Sequence, residues 1–321
     1  MKGRYHIIVQ SSHLKYEFDI IRNITIIKGD SATGKTTLAE LIREYTLNGT
    51  DTGITISCDV PCRLLEGNTW AEQLSLINDS IVFIDEGNSF VSSNEFASAI
   101  KGSSNYYVII TRESLHSLPY SVTEIYGIHS SGKYNSLEPV YHELYKIYSS
   151  EKATSSKPDT VIVEDSNSGY EFFDTLFKNT KCISAKGRDN IFSLLTDGNI
   201  TGNILVIADG AAFGAPMSNI HSFVENKDNI SLYLPESFEW LILDSVLLDN
   251  SDVRKILSAP EDHIDSENYF SWERYFTHLL IEKTEDSYLK YTKAKLNPAY
   301  LHEKSLNAIS QKLPKLLLDL I

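Results

Sequence analysis

Between polar, glycine-bearing turns the chain carries short unbroken apolar runs, and between those runs lie stretches in which apolar residues return at every third or fourth position. Unbroken runs are the pattern of strands buried on both faces, and the wider spacing is that of helices lying on a sheet. Their alternation predicts α/β layering. Strands are expected at ITII, GITISCDV, IVFI, YYVII and within LPYSVTEIYGIHSSGKY in the first half, and at TVIV and NILVI in the second. The helix pattern after ITII places Leu38, Leu41 and Ile42 on one side, and another helix is expected near residues 70–77. From Asn250 onward the strand-like runs stop, and SWERYFTHLLIEKTE and LHEKSLNAISQKLPKLLLDLI carry helical spacing, so this region is expected to be mostly helix.

The segment SSEKATSSKPD, residues 149–159, breaks the pattern with small and charged residues, a proline and almost nothing to bury, and reads as a linker. The expected organisation is a first domain over residues 1–148, the linker, a second α/β domain over 160–249 and a helical C-terminal region over 250–321. With 321 residues, 42% of them apolar, the chain is long enough for two cores. Its net charge of −14, from 29 basic and 43 acidic residues, sets up no field that would draw it to nucleic acid or anionic lipid. Any nucleic-acid surface must then be a local patch. Cys58, Cys62 and Cys182 lack zinc-site spacing and read as reduced, half-buried residues of a cytoplasmic protein. The first residues hold an apolar run only at 7–9, unlike a signal peptide, and no stretch reaches the length of a membrane helix, so no membrane partner is expected.

Within ITIIKGDSATGKTTLAELIREY, Gly29, Gly34, Lys35 and Thr36 fit G-x-x-x-x-G-K-[ST] between a strand and a helix. Such a loop, here Gly29, Asp30, Ser31, Ala32, Thr33 and Gly34 with Lys35, Thr36 and Thr37 opening the helix, turns backbone N–H groups toward nucleotide phosphates. Lys35 would reach the β and γ phosphates, and the Thr36 hydroxyl would bind Mg²⁺. In IVFIDEGNSF a buried strand ends in Asp85 and Glu86. Asp85 suits an outer-sphere Mg²⁺ carboxylate, and Glu86 the base that polarises an attacking water. The strand YYVII ends at Thr111 and Arg112, where a polar sensor of the γ phosphate can sit; Arg112 could equally pair with Glu113 or Glu124.

These residues, over about 20–130, resemble the P-loop NTPases of the additional-strand, catalytic-glutamate class, with an expected parallel sheet. There is no LSGGQ-like signature and no room for a coiled-coil arm between Lys35 and Asp85, so hydrolysis sandwiched in a dimer is not implied. The absence of an N/T-K-x-D pattern favours adenine over guanine, and ATP is the expected nucleotide.

In the second half, Glu164 and Asp165 end the strand TVIV and Asp209 ends NILVI. If those strands are parallel neighbours, Glu164 and Asp209 share an edge where a Mg²⁺ ion could bind. Gly210 and Gly214 would keep the Asp209 loop tight. Glutamate after a first strand, the Gly-containing AKGRDN, an aspartate after a later strand, and LPESFEWLILDS resemble, over about 159–249, the Toprim domain of primases, topoisomerases and OLD-family nucleases. That resemblance implies a D-x-D motif, which here is D-G-A: Ala211 stands where a second metal-binding carboxylate is expected, and Asp165, Glu171 and Glu239 are the candidates to compensate. Lys186, Arg188, Arg254 and Lys255 are the nearby basic residues. Trp240, Phe270, Trp272 and Phe276 read as packing residues, and His263 and His278 as no zinc site.

An ATPase domain joined to a degenerate Toprim-like domain resembles a group of proteins from Gram-positive bacteria and their mobile elements. The expected function is an ATP-binding, Mg²⁺-dependent ATPase whose nucleotide state controls the Toprim-like module, with a role in antiphage defence or mobile-element biology implied by resemblance alone. Two alternatives stand beside it: a metal-dependent nuclease using Glu164 and Asp209, and a non-catalytic, nucleotide-gated protein-interaction switch. The expected partners are ATP and either a second copy of the chain or a companion protein, with nucleic acid left open.

Overall fold

The apolar runs form the buried centres of two sheets in the computed structural model, which describes residues 1–29, 34–130, 140–152, 156–248 and 250–318. The chain divides into two units, Met1–Ile147 with Ala259–Phe270, and Tyr148–Ser258 with Ser271–Ile321. Both are mixed α/β.

The first unit contains β1 (Tyr5–Gln10), β2 (Leu14–Ile20), β3 (Ile24–Ile27), α1 (Lys35–Asn48), β4 (Thr55–Ser57), β5 (Cys62–Leu64), α2 (Trp70–Leu74), β6 (Ile81–Ile84), α3 (Asn94–Ile100), β7 (Tyr106–Ile110), β8 (Ile125–Ser130) and β9 (Val140–Lys146). Its nine strands run in the order β4-β1-β2-β9-β8-β3-β7-β6-β5. The block β8-β3-β7-β6-β5 is parallel, as expected, but β1 pairs antiparallel with both β2 and β4, and β8 with β9, so the sheet is mixed. The cause is legible in β1 and β2: alternate positions are buried, the pattern of a hairpin solvated on one face rather than of a strand covered by helices on both.

Period-2 alternation sorts the central strands between two faces. Ile27, Ile81, Phe83, Val108 and Ile110 pack with Leu38, Ala39, Leu41 and Ile42 of α1 in one core. An aromatic cluster forms a second one: Trp70 stacks on Phe90 at 5.1 Å, and Phe96 meets Tyr107 edge to face at 6.0 Å. The polar segment Ala259–Phe270, which the spacing assigns to the C-terminal helical region, belongs to this unit; Gly3 N–H donates to the Glu261 carbonyl and Asn23 Nδ2 to that of Phe270.

The second unit contains β10 (Glu151–Lys152), β11 (Thr160–Val163), α4 (Ser168–Leu176), β12 (Lys181–Ser184), α5 (Asn190–Thr196), β13 (Ile204–Ile207), α6 (Gly214–Val224), β14 (Ile230–Tyr233), α7 (Phe238–Asp244), α8 (Ser251–Ser258), α9 (Trp272–Thr284), α10 (Glu303–Ser310) and α11 (Lys315–Leu318). Its sheet runs β10-β14-β13-β11-β12, with the last four strands parallel. The expected linker therefore carries an edge strand: β10 pairs antiparallel with β14, and Lys152 Nζ donates to the carbonyls of Val224 and Lys227. Among the described residues no strand follows Asn250.

One ion pair in the first unit is buried on both sides. Arg22 lies 3.6 Å from Glu124, whose carboxylate also accepts from Thr25 Oγ1 at 3.4 Å. Removing one partner of a buried pair costs about 3–5 kcal/mol because the other charge stays buried. Glu124→Ala is expected to lower the urea midpoint of the first unit accordingly, and Glu124→Gln by less; unchanged midpoints would mean that water screens the pair.

Candidate functional site

The first site grows from the carboxyl end of β3. Gly29 and Gly34 have φ of 139° and 85°, in the left-handed range where a Cβ is strained, so these two motif glycines meet a backbone requirement. Lys35 opens α1, buried, and its Nζ donates to the Gly29 carbonyl at 2.6 Å, folding the side chain back across the loop it follows. From β2, Tyr16 donates its hydroxyl to the Gly34 carbonyl at 2.8 Å; burial pushes the Tyr16 hydroxyl up to about 12. Thr36 is exposed and Thr37 half-buried, while Asp30, Ser31, Ala32 and Thr33 lie outside the described residues.

Parallel register places the acidic pair at the same edge as this loop. β7 lies between β3 and β6, so an additional strand separates the loop strand from the one ending in Asp85 and Glu86. Asp85 Oδ1 accepts from the Glu86 N–H at 2.8 Å, and burial raises its pKa, opposed by Arg43 of α1 at 3.9 Å. Arg43 is itself forked on Glu66 at 2.8 Å. Glu86 pairs with Arg112 at 2.7 Å. Glu86 is a partner of Arg112 that the sequence did not point to: β7 ends beside β6, which brings the two together. The sequence reading also missed Lys28, buried just after β3, whose Nζ has no hydrogen-bond partner among the described residues and whose pKa is lowered by burial. A single lysine after an apolar strand carries no signal that would have singled it out.

The second site lies at the carboxyl edge of β11 and β13, which pair in parallel. Glu164 and Asp209 do converge there: Glu164 Oε2 accepts from the Asp209 N–H at 3.0 Å, and Asp209 Oδ1 accepts from the Phe238 N–H at 3.1 Å. Gly210 is required by close approach, since a Cβ would stand 2.5 Å from the Leu234 carbonyl oxygen. Ala211 is buried behind it. A cavity of about 260 Å³ opens here, lined by Glu164, Asp209, Glu273, Lys186 and Lys293 among others.

Of the carboxylates expected to compensate, Asp165 lines this cavity, and all three already accept hydrogen bonds. Asp165 accepts from the N–H groups of Ser166, Asn167 and Gly169 at the start of α4, and Glu171 accepts from Leu296 N–H at 3.0 Å. Glu239 is buried, accepts from the Tyr291 hydroxyl at 2.8 Å, and among the described residues its other oxygen, Oε2, has no hydrogen bond. The residues that sequence reasoning missed are Glu273, on α9, and Lys293, beyond it. Lys293 Nζ pairs with Glu273 and lies 3.8 Å from Glu239. It joins two of the basic residues expected there: Lys186 lines the same cavity, and the Arg188 charge also bears on Glu164. Among the described residues no group of three or more His, Cys, Asp or Glu is arranged to hold a metal ion.

A larger depression of about 620 Å³ in the same unit, bordered by Leu176, Phe177, Leu306 and Ser310, contains none of the candidate residues. Among the described residues no helix is long and apolar enough to cross a membrane. No protein-family model matches the chain, and no curated protein matches it significantly.

Burial, reinforced by the Glu273 charge and opposed by the Asp209 N–H, Arg188 and Lys293, raises the Glu164 carboxyl from 4.5 to about 7, and burial carries Asp209 in the same direction. The folded chain thus keeps protons that the unfolded chain has released, a contribution present in full below the ordinary value and lost as pH rises through the folded one. Stability of the second unit is expected to fall between pH 4.5 and about 7, and Glu164→Gln to flatten that fall in urea midpoints taken across the range. Equal slopes in the two proteins would show that Glu164 ionises in the fold as it does in water.

Proposed function

We propose that the first unit binds ATP with Mg²⁺ at the β3–α1 loop and hydrolyses it, and that its nucleotide state controls the second, Toprim-like unit. The observation that carries this reading is Lys35 folded onto the Gly29 carbonyl at the opening of α1, at the same sheet edge as Asp85 and Glu86. A phosphate oxygen would be a stronger, charge-assisted acceptor for the Lys35 ammonium than the neutral Gly29 carbonyl is. Gly29 and Gly34 take the positive φ that a phosphate-cradling loop uses, and a helix N-terminus such as that of α1 favours an anion. Thr36 and Asp85 are the residues that would hold Mg²⁺, which when bound neutralises charge on the β and γ phosphates. Glu86 would take the proton of the attacking water.

The pairing of Glu86 with Arg112 supports a second reading, a nucleotide-gated switch in which ATP binds but turns over only after something draws the arginine away. A second copy of the chain or a companion protein would be that trigger.

Lys35→Ala removes the cation facing the phosphates but leaves the loop glycines in place. Its ATP dissociation constant, measured by calorimetry, is expected to rise at least about tenfold, equivalent to ~1.4 kcal/mol, with little change in Tm. Equal affinity in the mutant would reject the site.

Glu86→Gln separates the two readings. A general base contributes about 10²–10⁴-fold in rate, so if the chain hydrolyses ATP unaided the variant should hold ATP and turn it over slower by that factor. Wild type that binds ATP without turnover would instead favour the switch, and turnover unchanged by the substitution would remove Glu86 from the chemistry.

A further inference from the structure

The carboxylates at the second site already face a cation. Glu164, Asp209 and Glu273 line one cavity with Lys293, and the buried Glu239 is within 3.8 Å of the Lys293 ammonium. The lysine is delivered by a fixed backbone. Its carbonyl accepts from Ser168 N–H at 3.4 Å, and two residues earlier Tyr291 is held at three points: its N–H by Thr284 Oγ1 at 3.0 Å, its hydroxyl by Glu239 at 2.8 Å and by Ser168 Oγ at 2.6 Å. Lys293 therefore reaches this edge from a segment anchored in the core through Tyr291, while its own side chain stays partly exposed.

A divalent ion at Glu164 and Asp209 would have to share the cavity with that ammonium. Like charges a few ångströms apart repel strongly where water is scarce, and a compact ammonium with three donors satisfies carboxylates much as a small ion does. The tether removes the entropic cost of recruiting a cation from solution. Among the described residues Glu239 Oε2 has no hydrogen-bond partner, so this carboxylate too draws on the nearby Lys293 charge, with Lys186 also on the cavity wall. The donor set fits a monovalent, tethered cation and does not fit the metal that a Toprim-like arrangement implies.

We propose that the Lys293 ammonium is the resident cation of this cluster, standing where a divalent ion would otherwise bind, so that the second unit takes up no Mg²⁺ or Mn²⁺ at Glu164 and Asp209. Its role there is to hold the segment after α9 against the strand edge. The inference is independent of ATP binding by the first unit.

Mn²⁺ titration of the full chain without nucleotide, counting bound ions by loss of the free-ion paramagnetic signal, tests it. Wild type and Asp209→Asn are expected to bind the same number of ions, and Lys293→Met one more, which the double variant Lys293→Met with Asp209→Asn loses again. Lys293→Arg, which keeps the charge, is expected to gain none. A wild-type ion lost in Asp209→Asn overturns the proposal, as does a Lys293→Met protein of wild-type circular dichroism that gains no ion. Should Lys293→Met fail to fold, the comparison of wild type with Asp209→Asn still decides, because it needs no substitution at the lysine.

Discussion

Parallel pairing is the constraint from which both candidate sites follow. Neighbouring parallel strands all end at one edge, so whatever polar residues follow them are gathered together however far apart they lie in the chain. In the first unit β3, β7 and β6 bring Gly29, Arg112 and the Asp85, Glu86 pair to one edge. In the second, β11 beside β13 does the same for Glu164 and Asp209. The strands are buried throughout, and their interiors carry no chemistry; the chemistry is where burial stops.

Gathering charge at the end of a buried strand has a cost, because a carboxylate leaving water must find a counter-charge or a proton. The two edges meet it differently. At the first, Arg112 and Arg43 stand against Glu86 and Asp85 as partly exposed partners, which water can help to exchange. At the second, Lys293, also partly exposed, comes from a segment fastened by Tyr291, Lys186 lines the same cavity, and raised carboxyl pKa values take up the rest. The first arrangement suits a site that must open to a ligand, and the second suits one that is filled.

The central strands were legible because unbroken runs such as IVFI and TVIV have only one economical placement, between two layers. The convergence of Glu164 and Asp209 followed from them by register alone. What could not be read has a common origin in contacts between residues distant in sequence. β1 and β2 add antiparallel partners to a sheet expected to be parallel, β10 sits in a segment whose composition suggests a connector, and Arg112 meets Glu86 at the end of the neighbouring strand. Glu273 and Lys293 lie in helical and loop patterns that say which residues pack, and nothing in that spacing tells which cavity a charged side chain will enter.

The excursion of Ala259–Phe270 into the first unit bears on the order in which the molecule can be made. A ribosome delivers the chain from its N-terminus, and units generally fold as they emerge. Here the nine-stranded sheet is available early, yet the segment that receives Asn23 and gives its carbonyls to Gly3 arrives only after the whole second sheet has been synthesised. The first unit must wait with part of its surface uncovered, and completing it also closes the loop of chain that contains the second sheet, so the two halves are finished in an interleaved order rather than one after the other.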